Sequence, residues 1–214
     1  MRQLLRVIDR ADTNDLTTVE AVRMELALPD DVDSTIDTRI AILITQASSA
    51  ISGYCNRVFG ADKVEEVFWP DHWYESVDSL VLTRQPIIEV ESVFMDNREL
   101  LVDDEYDVDI EKSMIFLLTS GVPRPWRCFN RATVTYTGGY ILMDLLPEAL
   151  ERACLNIVQG LYYGQGRDVN MRSENVPDVY NYSLAGGSSG AGSVAQLIAP
   201  DVAALLSPYR RYPI

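Results

Sequence analysis

Ile36, Ile40, Leu43, Ile44, Ala47, Ile51 and Tyr54 recur at steps of three and four, whereas Thr133-Val134-Thr135-Tyr136-Thr137 alternates at a step of two. The first spacing puts apolar side chains on one face of an α-helix, and the second puts them on one face of a strand. The chain passes from helical to strand spacing near residue 64 and back again after Tyr140. A helical framework interrupted by a β insert is the arrangement this double switch predicts.

The helical parts carry their own start and stop signals. Thr17, with Glu20 three residues on, forms a capping box, and the helix it opens runs to about Leu28, ahead of Pro29. Ser34 opens the long second helix. Pro147 stands where a first helical turn tolerates proline, and Leu150, Ala153, Cys154, Ile157, Val158, Leu161 and Tyr162 continue a third helix to Tyr163-Gly164. Between them, strands are expected at Glu66 to Trp69, Ser79 to Leu82, Ile88 to Met95, Tyr106 to Ile110, Met114 to Leu118 and Ala132 to Tyr136, with Asp96-Asn97 as a tight hairpin turn.

Beyond Gly166 the chain turns polar, and Gly186-Gly187-Ser188-Ser189-Gly190-Ala191-Gly192-Ser193 has the composition of a flexible linker. A short apolar helix, Asp201 to Leu206, and the aromatic and basic tail Ser207-Pro208-Tyr209-Arg210-Arg211-Tyr212-Pro213-Ile214 follow it. Tyr and Arg are enriched at interface hot spots, so the tail reads as a docking segment. The division is N-terminal helices over residues 1–63, a β-rich insert over 64–140, a third bundle helix over 141–166, a flexible Gly/Ser-rich connection over 167–198 and a C-terminal docking segment over 199–214. The expected class is α+β, mainly helical: a small helix bundle with an inserted antiparallel β region and a flexible C-terminal tail.

Charge restricts the partners. The formal charge is -14, and the excess is central: residues 62–112 hold sixteen acids against four bases, while residues 113–214 hold seven against eight. Nucleic-acid binding depends on Lys and Arg neutralising phosphates, so this surface repels DNA. Sixteen of the eighteen bases are arginine, the side chain suited to planar, bidentate pairing at interfaces. No stretch approaches the ~20 apolar residues that span a bilayer, which predicts a soluble protein made in the cytosol.

Catalytic groups are sparse. A His-dependent triad would have to be built on His72 alone, and there is no G-x-S-x-G elbow. Cys55, Cys128 and Cys154 are too widely spaced for a paired zinc or redox motif and read as reduced thiols. The acids of Asp103-Asp104-Glu105-Tyr106-Asp107-Val108-Asp109 alternate as in a calcium loop, but Val108 and Met114 occupy the positions that need glycine and a bidentate glutamate. They read as a solvated acidic edge strand. No metal and no cofactor is expected, and no enzyme activity.

The order of the parts resembles the head-tail connector, or adaptor, family of long-tailed bacteriophages and their prophage and gene-transfer-agent relatives. The resemblance rests on Leu16-Thr17-Thr18-Val19-Glu20-Ala21-Val22, the helix Ile40 to Tyr54 with its closing Cys55-Asn56-Arg57-Val58-Phe59, and Arg84-Gln85-Pro86-Ile87-Ile88-Glu89-Val90-Glu91-Ser92-Val93. It continues through Tyr106-Asp107-Val108-Asp109, Val134-Thr135-Tyr136-Thr137-Gly138-Gly139-Tyr140, Leu146-Pro147-Glu148-Ala149-Leu150 and Leu206-Ser207-Pro208-Tyr209-Arg210-Arg211. The aromatic, acidic stretch Phe68 to Asp78 and the long glycine-rich connection depart from shorter members.

The resemblance implies a virion protein of the neck, present in the host cytoplasm during assembly, that forms a homo-oligomeric ring, commonly dodecameric, beneath the portal protein. The ring would extend the DNA channel without specific DNA binding and meet a stopper or tail-completion protein on its far side. Pro208, Tyr209, Arg210, Arg211 and Tyr212 are the candidate portal-docking residues; Arg39, Arg57 and Arg152 are the candidate subunit-interface residues. An acidic surface facing the channel would keep passing DNA from sticking. The alternatives are another neck component, either a stopper or a tail-completion protein, and a carbohydrate-binding or carboxylate-based hydrolytic module built around Trp69, Trp73 and Tyr74.

Overall fold

In the computed structural model, which describes residues 1–29, 34–142, 146–164, 173–176, 180–183 and 198–211, the chain divides into two units. One comprises residues 1–13 and 58–142; the other comprises 14–57 and 143–214.

The first unit is built on a five-stranded antiparallel sheet in the order β1-β2-β11-β5-β6. Its strands are β1 (Arg2–Asp9), β2 (Asp62–Trp69), β5 (Ile87–Met95), β6 (Arg98–Glu99) and β11 (Ala132–Gly138). The period-two stretch at 133–137 lies in β11, where Val134 and Tyr136 are buried while Thr133, Thr135 and Thr137 are partly exposed. β11 pairs with β2 through Val134↔Glu66 and with β5 through Val134↔Val93. The expected hairpin turn is present: Asp96 and Asn97 both have positive φ, 51° and 70°, as a two-residue turn between β5 and β6 requires.

A second sheet, in the order β4-β8-β7 with β9 also paired to β8, uses β4 (Leu80–Val81), β7 (Tyr106–Asp109), β8 (Met114–Thr119) and β9 (Val122–Arg124). The short strands β3 (Ser76–Val77) and β10 (Trp126–Arg127) pair with each other. Phe68, Leu80, Leu82, Ile115, Trp126, Phe129, Val134 and Tyr136 form one buried cluster across these strands. Burying each such side chain contributes about 1.5–3 kcal/mol.

The second unit contains α1 (Val19–Glu25), α2 (Ser34–Cys55), α3 (Glu148–Gly164) and α4 (Pro200–Leu206), followed by a 3-10 turn at Ser207–Tyr209. α1, α2 and α3 pack against one another, and α4 packs on α3. The helical stripe is its core: Ile40, Leu43, Ile44, Ala47 and Ile51 of α2 are buried, as are Leu150, Ala153, Cys154, Ile157 and Val158 of α3. Ser48 Oγ accepts the Leu16 N–H at 3.0 Å and lies 3.7 Å from Cys154 Sγ, so a single buried hydroxyl links the approach to α1 with both long helices.

Several expectations need correction. The fold is not mainly helical: helix and strand each take 33% of the chain, in several antiparallel sheets. Short strands such as β9 and β10 have too few residues to show a period, so the helices stand out more in the sequence than in the fold. The stretch 1–63, expected as helices alone, opens with the strand β1. Its Leu-Leu-Arg-Val-Ile run matches neither period, and pairing with β2 decides its state. The cap of α1 is Thr18, whose hydroxyl accepts the Ala21 N–H at 3.1 Å; Thr17 instead donates to Glu151 at 3.3 Å. Within the expected connection 167–198, β12 (Ser173–Val176) and β13 (Tyr180–Ser183) pair as an antiparallel hairpin, while the glycine-rich stretch 186–193 lies outside the described residues.

Candidate functional site

The C-terminal end of α2 gathers more of the singled-out residues than any other described place in the chain. Asn56, with φ of 51°, closes the helix in a left-handed cap, and the N–H groups of Asn56 and Arg57 return to the carbonyls of Gly53 and Ser52. The Cys55 carbonyl, which has no partner within the helix, accepts the Arg211 N–H at 2.8 Å. The Arg210 guanidinium sits 4.9 Å from the centre of the Tyr54 ring, within cation–π range.

α4 brings the tail to this point. Pro200 stands in its first turn, and Val202 and Leu206 are buried. The 3-10 turn then carries the chain on, leaving Pro208 exposed and Tyr209 half-buried. Of the five candidate docking residues, Tyr212 lies outside the described residues. The other four belong to a segment seated on the chain's own helical unit.

Arg57 and Arg210 both lie close enough to Cys55 to favour its thiolate, but burial is the larger effect and pushes the thiol up to about 11. Cys55 is thus a neutral, packed thiol, not a nucleophile. A helix C-terminus carries partial negative charge that favours nearby cations. The place is therefore a small basic tip on an acidic chain, suited to recognising a partner.

The three candidate interface arginines do not converge. Arg57 belongs to the tip. Arg152, on α3, pairs with Glu25 of α1 at 3.0 Å. Arg39 is exposed on α2, about 22 Å along the helix axis from Tyr54 at 1.5 Å per residue. Tyr54 is the residue that sequence reasoning placed in the core stripe without seeing its second role, because a cation–π partner 156 positions away leaves no local pattern.

The aromatics behind the hydrolytic alternative sit elsewhere, in the sheet unit. Trp73 is 60% exposed and Tyr74 81% exposed, with His72 stacked on Tyr74 at 5.4 Å. Trp69 borders a shallow groove with Arg2, Gln3, Leu4, Pro70 and Asp71, to which neither Trp73 nor Tyr74 contributes. The buried acids have local tasks. Asp62 accepts from the Ala11 N–H at 3.0 Å and pairs with Arg84 at 3.2 Å, while Glu66 accepts from Tyr136, from the Thr83 N–H and from the Thr83 hydroxyl. Among the described residues no cluster of His, Cys, Asp and Glu is arranged to hold a metal ion, and no helix is long and apolar enough to cross a membrane.

No protein-family model matches the sequence, and no curated protein matches it. Solved structures do. Along 99% of this chain and 97% of the other, the fold superimposes with a TM-score of 0.56 and 17% identity on a chain from the neck of an empty gene transfer agent (GTA) particle, computed with C6 symmetry. A chain from the neck of the native GTA particle, computed with C12 symmetry, matches with a TM-score of 0.52 and 16% identity, and one from the native GTA virion matches with 0.55 and 15%. This chain has the fold of a neck protein. At such identity the likeness is one of architecture, and it covers 99% of this chain.

Proposed function

We propose that the chain is a structural component of the neck of a phage-like particle and forms the adaptor ring between the portal and the next neck or tail protein. The observation that carries this reading is the near end-to-end match, 99% of one chain on 97% of the other, to chains from necks and a virion, one of them computed with C12 symmetry. The ordered motifs of the sequence point the same way.

In this reading the chain acts by position and not by catalysis. Copies surround the DNA channel as a homo-oligomeric ring, and an acidic surface repels DNA in transit. The basic tip at the end of α2 meets the portal. A stopper or tail-completion protein binds the opposite side. Seating residues 200–211 on the helical unit lowers the entropic cost of docking, because little of the segment is left to be ordered on contact.

The test is removal of the gene from a particle-producing strain. The expected outcome is DNA-filled heads without tails, restored by the intact chain. Normal tailed particles from the deletion strain would refute the assignment. Mass measurement of the purified protein with and without portal protein then separates the adaptor from other neck components, since only the adaptor joins portal directly.

A further inference from the structure

β1 and β6 are the two edges of the five-stranded sheet, four strand spacings or about 19 Å apart. The edges differ in charge. Seven of the eight residues of β1 are exposed. Leu5 packs toward the core, so Arg2, Leu4 and Arg6 share the opposite face, and Ile8 and exposed Arg10 follow at the irregularity near its end. Leu4 is 42% and Ile8 56% exposed. Arg2 and Arg6 make surface ion pairs with Asp71 and Glu65 through one nitrogen each, which leaves further guanidinium donors on both. As the terminal strand, β1 also has, among the described residues, no strand beside its outer edge to pair with its backbone.

At the other edge the chain runs from β6 into the turn Leu101–Glu105, closed by the Glu105 N–H on the Leu101 carbonyl at 2.9 Å. Leu101 and Val102 are 61% and 59% exposed. Glu99, Asp103, Asp104 and Asp107, all exposed, surround them. Glu99 and Asp103 are close enough to Tyr106 to add to the effect of burial in raising its phenol. Each place thus presents exposed apolar side chains among charges: Arg2, Arg6 and Arg10 with Asp9 along β1, and Glu99, Asp103, Asp104 and Asp107 with Arg98 at the other.

We infer that these two edges are complementary faces of one contact between copies of this chain: β1 of one copy, with Arg2, Arg6 and Arg10, seats against the Leu101–Asp107 edge of the next. Two different patches, one on the β1 edge of the sheet and the other on β6 and the turn that leads from it into β7, make a head-to-tail interface, the type that closes into rings. Opposite charges steer the encounter and set its orientation, while the apolar side chains they surround are removed from water. The inference rests on the ring reading above and names its seam.

The test uses the full chain with exposed Cys128 replaced, Cys128→Ser, so that only introduced thiols react. Leu4→Cys and Val102→Cys together, treated with a bismaleimide, are expected to give a ladder of dimers, trimers and higher species, and either substitution alone no cross-linked product. Arg6→Glu with Arg10→Glu should abolish the ladder, and adding Asp103→Arg with Asp104→Arg should restore it. No ladder, dimers from a single-cysteine variant, or a ladder that survives charge reversal would each overturn the contact. Wild-type chain present in purified particles whose cysteine variants give no ladder would overturn this seam and leave the ring standing. Wild-type chain missing from the particles would overturn both.

Discussion

The Tyr136 hydroxyl donates to Glu66 at 2.8 Å and accepts the Arg84 N–H at 2.9 Å, so one side chain of β11 fastens β2 to the segment that leads into β5. Glu66 and Tyr136 are both fully buried. A buried carboxylate without its donors costs more than the hydrogen bond itself contributes.

Tyr136→Phe is therefore expected to destabilise the protein by roughly 1–3 kcal/mol, read by denaturant unfolding. Burial, and secondly the Glu66 charge, raise the Tyr136 phenol well above its ordinary value of 10.0. The folded state keeps the phenol neutral while the unfolded chain ionises it, so stability is full below pH 10 and falls as pH climbs above it. The alkaline decline should be shallower in Tyr136→Phe; an unchanged decline would show that the phenol is not its source.

The thiols make a second pH-dependent set. Burial pushes Cys154 from 9.0 up to about 12 and Cys55 from 9.0 up to about 11. Both stay neutral in the folded chain, and their contribution is lost as pH rises from 9 through those values. At pH 8 a thiol-reactive dye should label exposed Cys128 alone in the native protein and all three cysteines after denaturation. Rapid native labelling of three would contradict the packing of α2 and α3.

At the tip, Arg210→Ala and Tyr54→Ala should each remove one cation–π contact, worth about 0.5–1 kcal/mol at an exposed site. The readout is faster proteolytic cleavage after residue 206, with the melting temperature of the helical unit little changed. Leu206→Ala, which empties a fully buried position, should cost about 2–5 kcal/mol and release the segment outright.

Gly139 has φ of +128°, and a Cβ there would overlap the Gly60 carbonyl oxygen. Gly139→Ala is expected to cost at least ~1–3 kcal/mol in backbone strain. Gly121, with φ of +75° and open space around it, should accept Asn with a small effect. Equal costs at the two positions would mean that backbone strain decides both and the close approach of Gly139 to Gly60 adds nothing.

The long helices, the alternation in β11 and the Asp96-Asn97 turn were legible because each is decided by residues adjacent in sequence: a helix bonds within itself, and a two-residue turn needs only its own positive φ values. The basic tip was legible in part. Its arginines and aromatics stood out, but their seat on α2 did not, since Tyr54 and Arg210 are far apart along the chain.

The sequence alone determined where the hydrophobic period changes, where charge accumulates and which turns close locally, because those properties are carried by neighbouring residues. Only the tertiary structure decided that Arg2–Asp9 is a strand, that residues 1–13 join 58–142 in one unit, and that β1 and β6 are the opposite edges of one sheet. Each of those depends on pairing between distant segments, and no stretch of chain encodes its distant partner in its own composition.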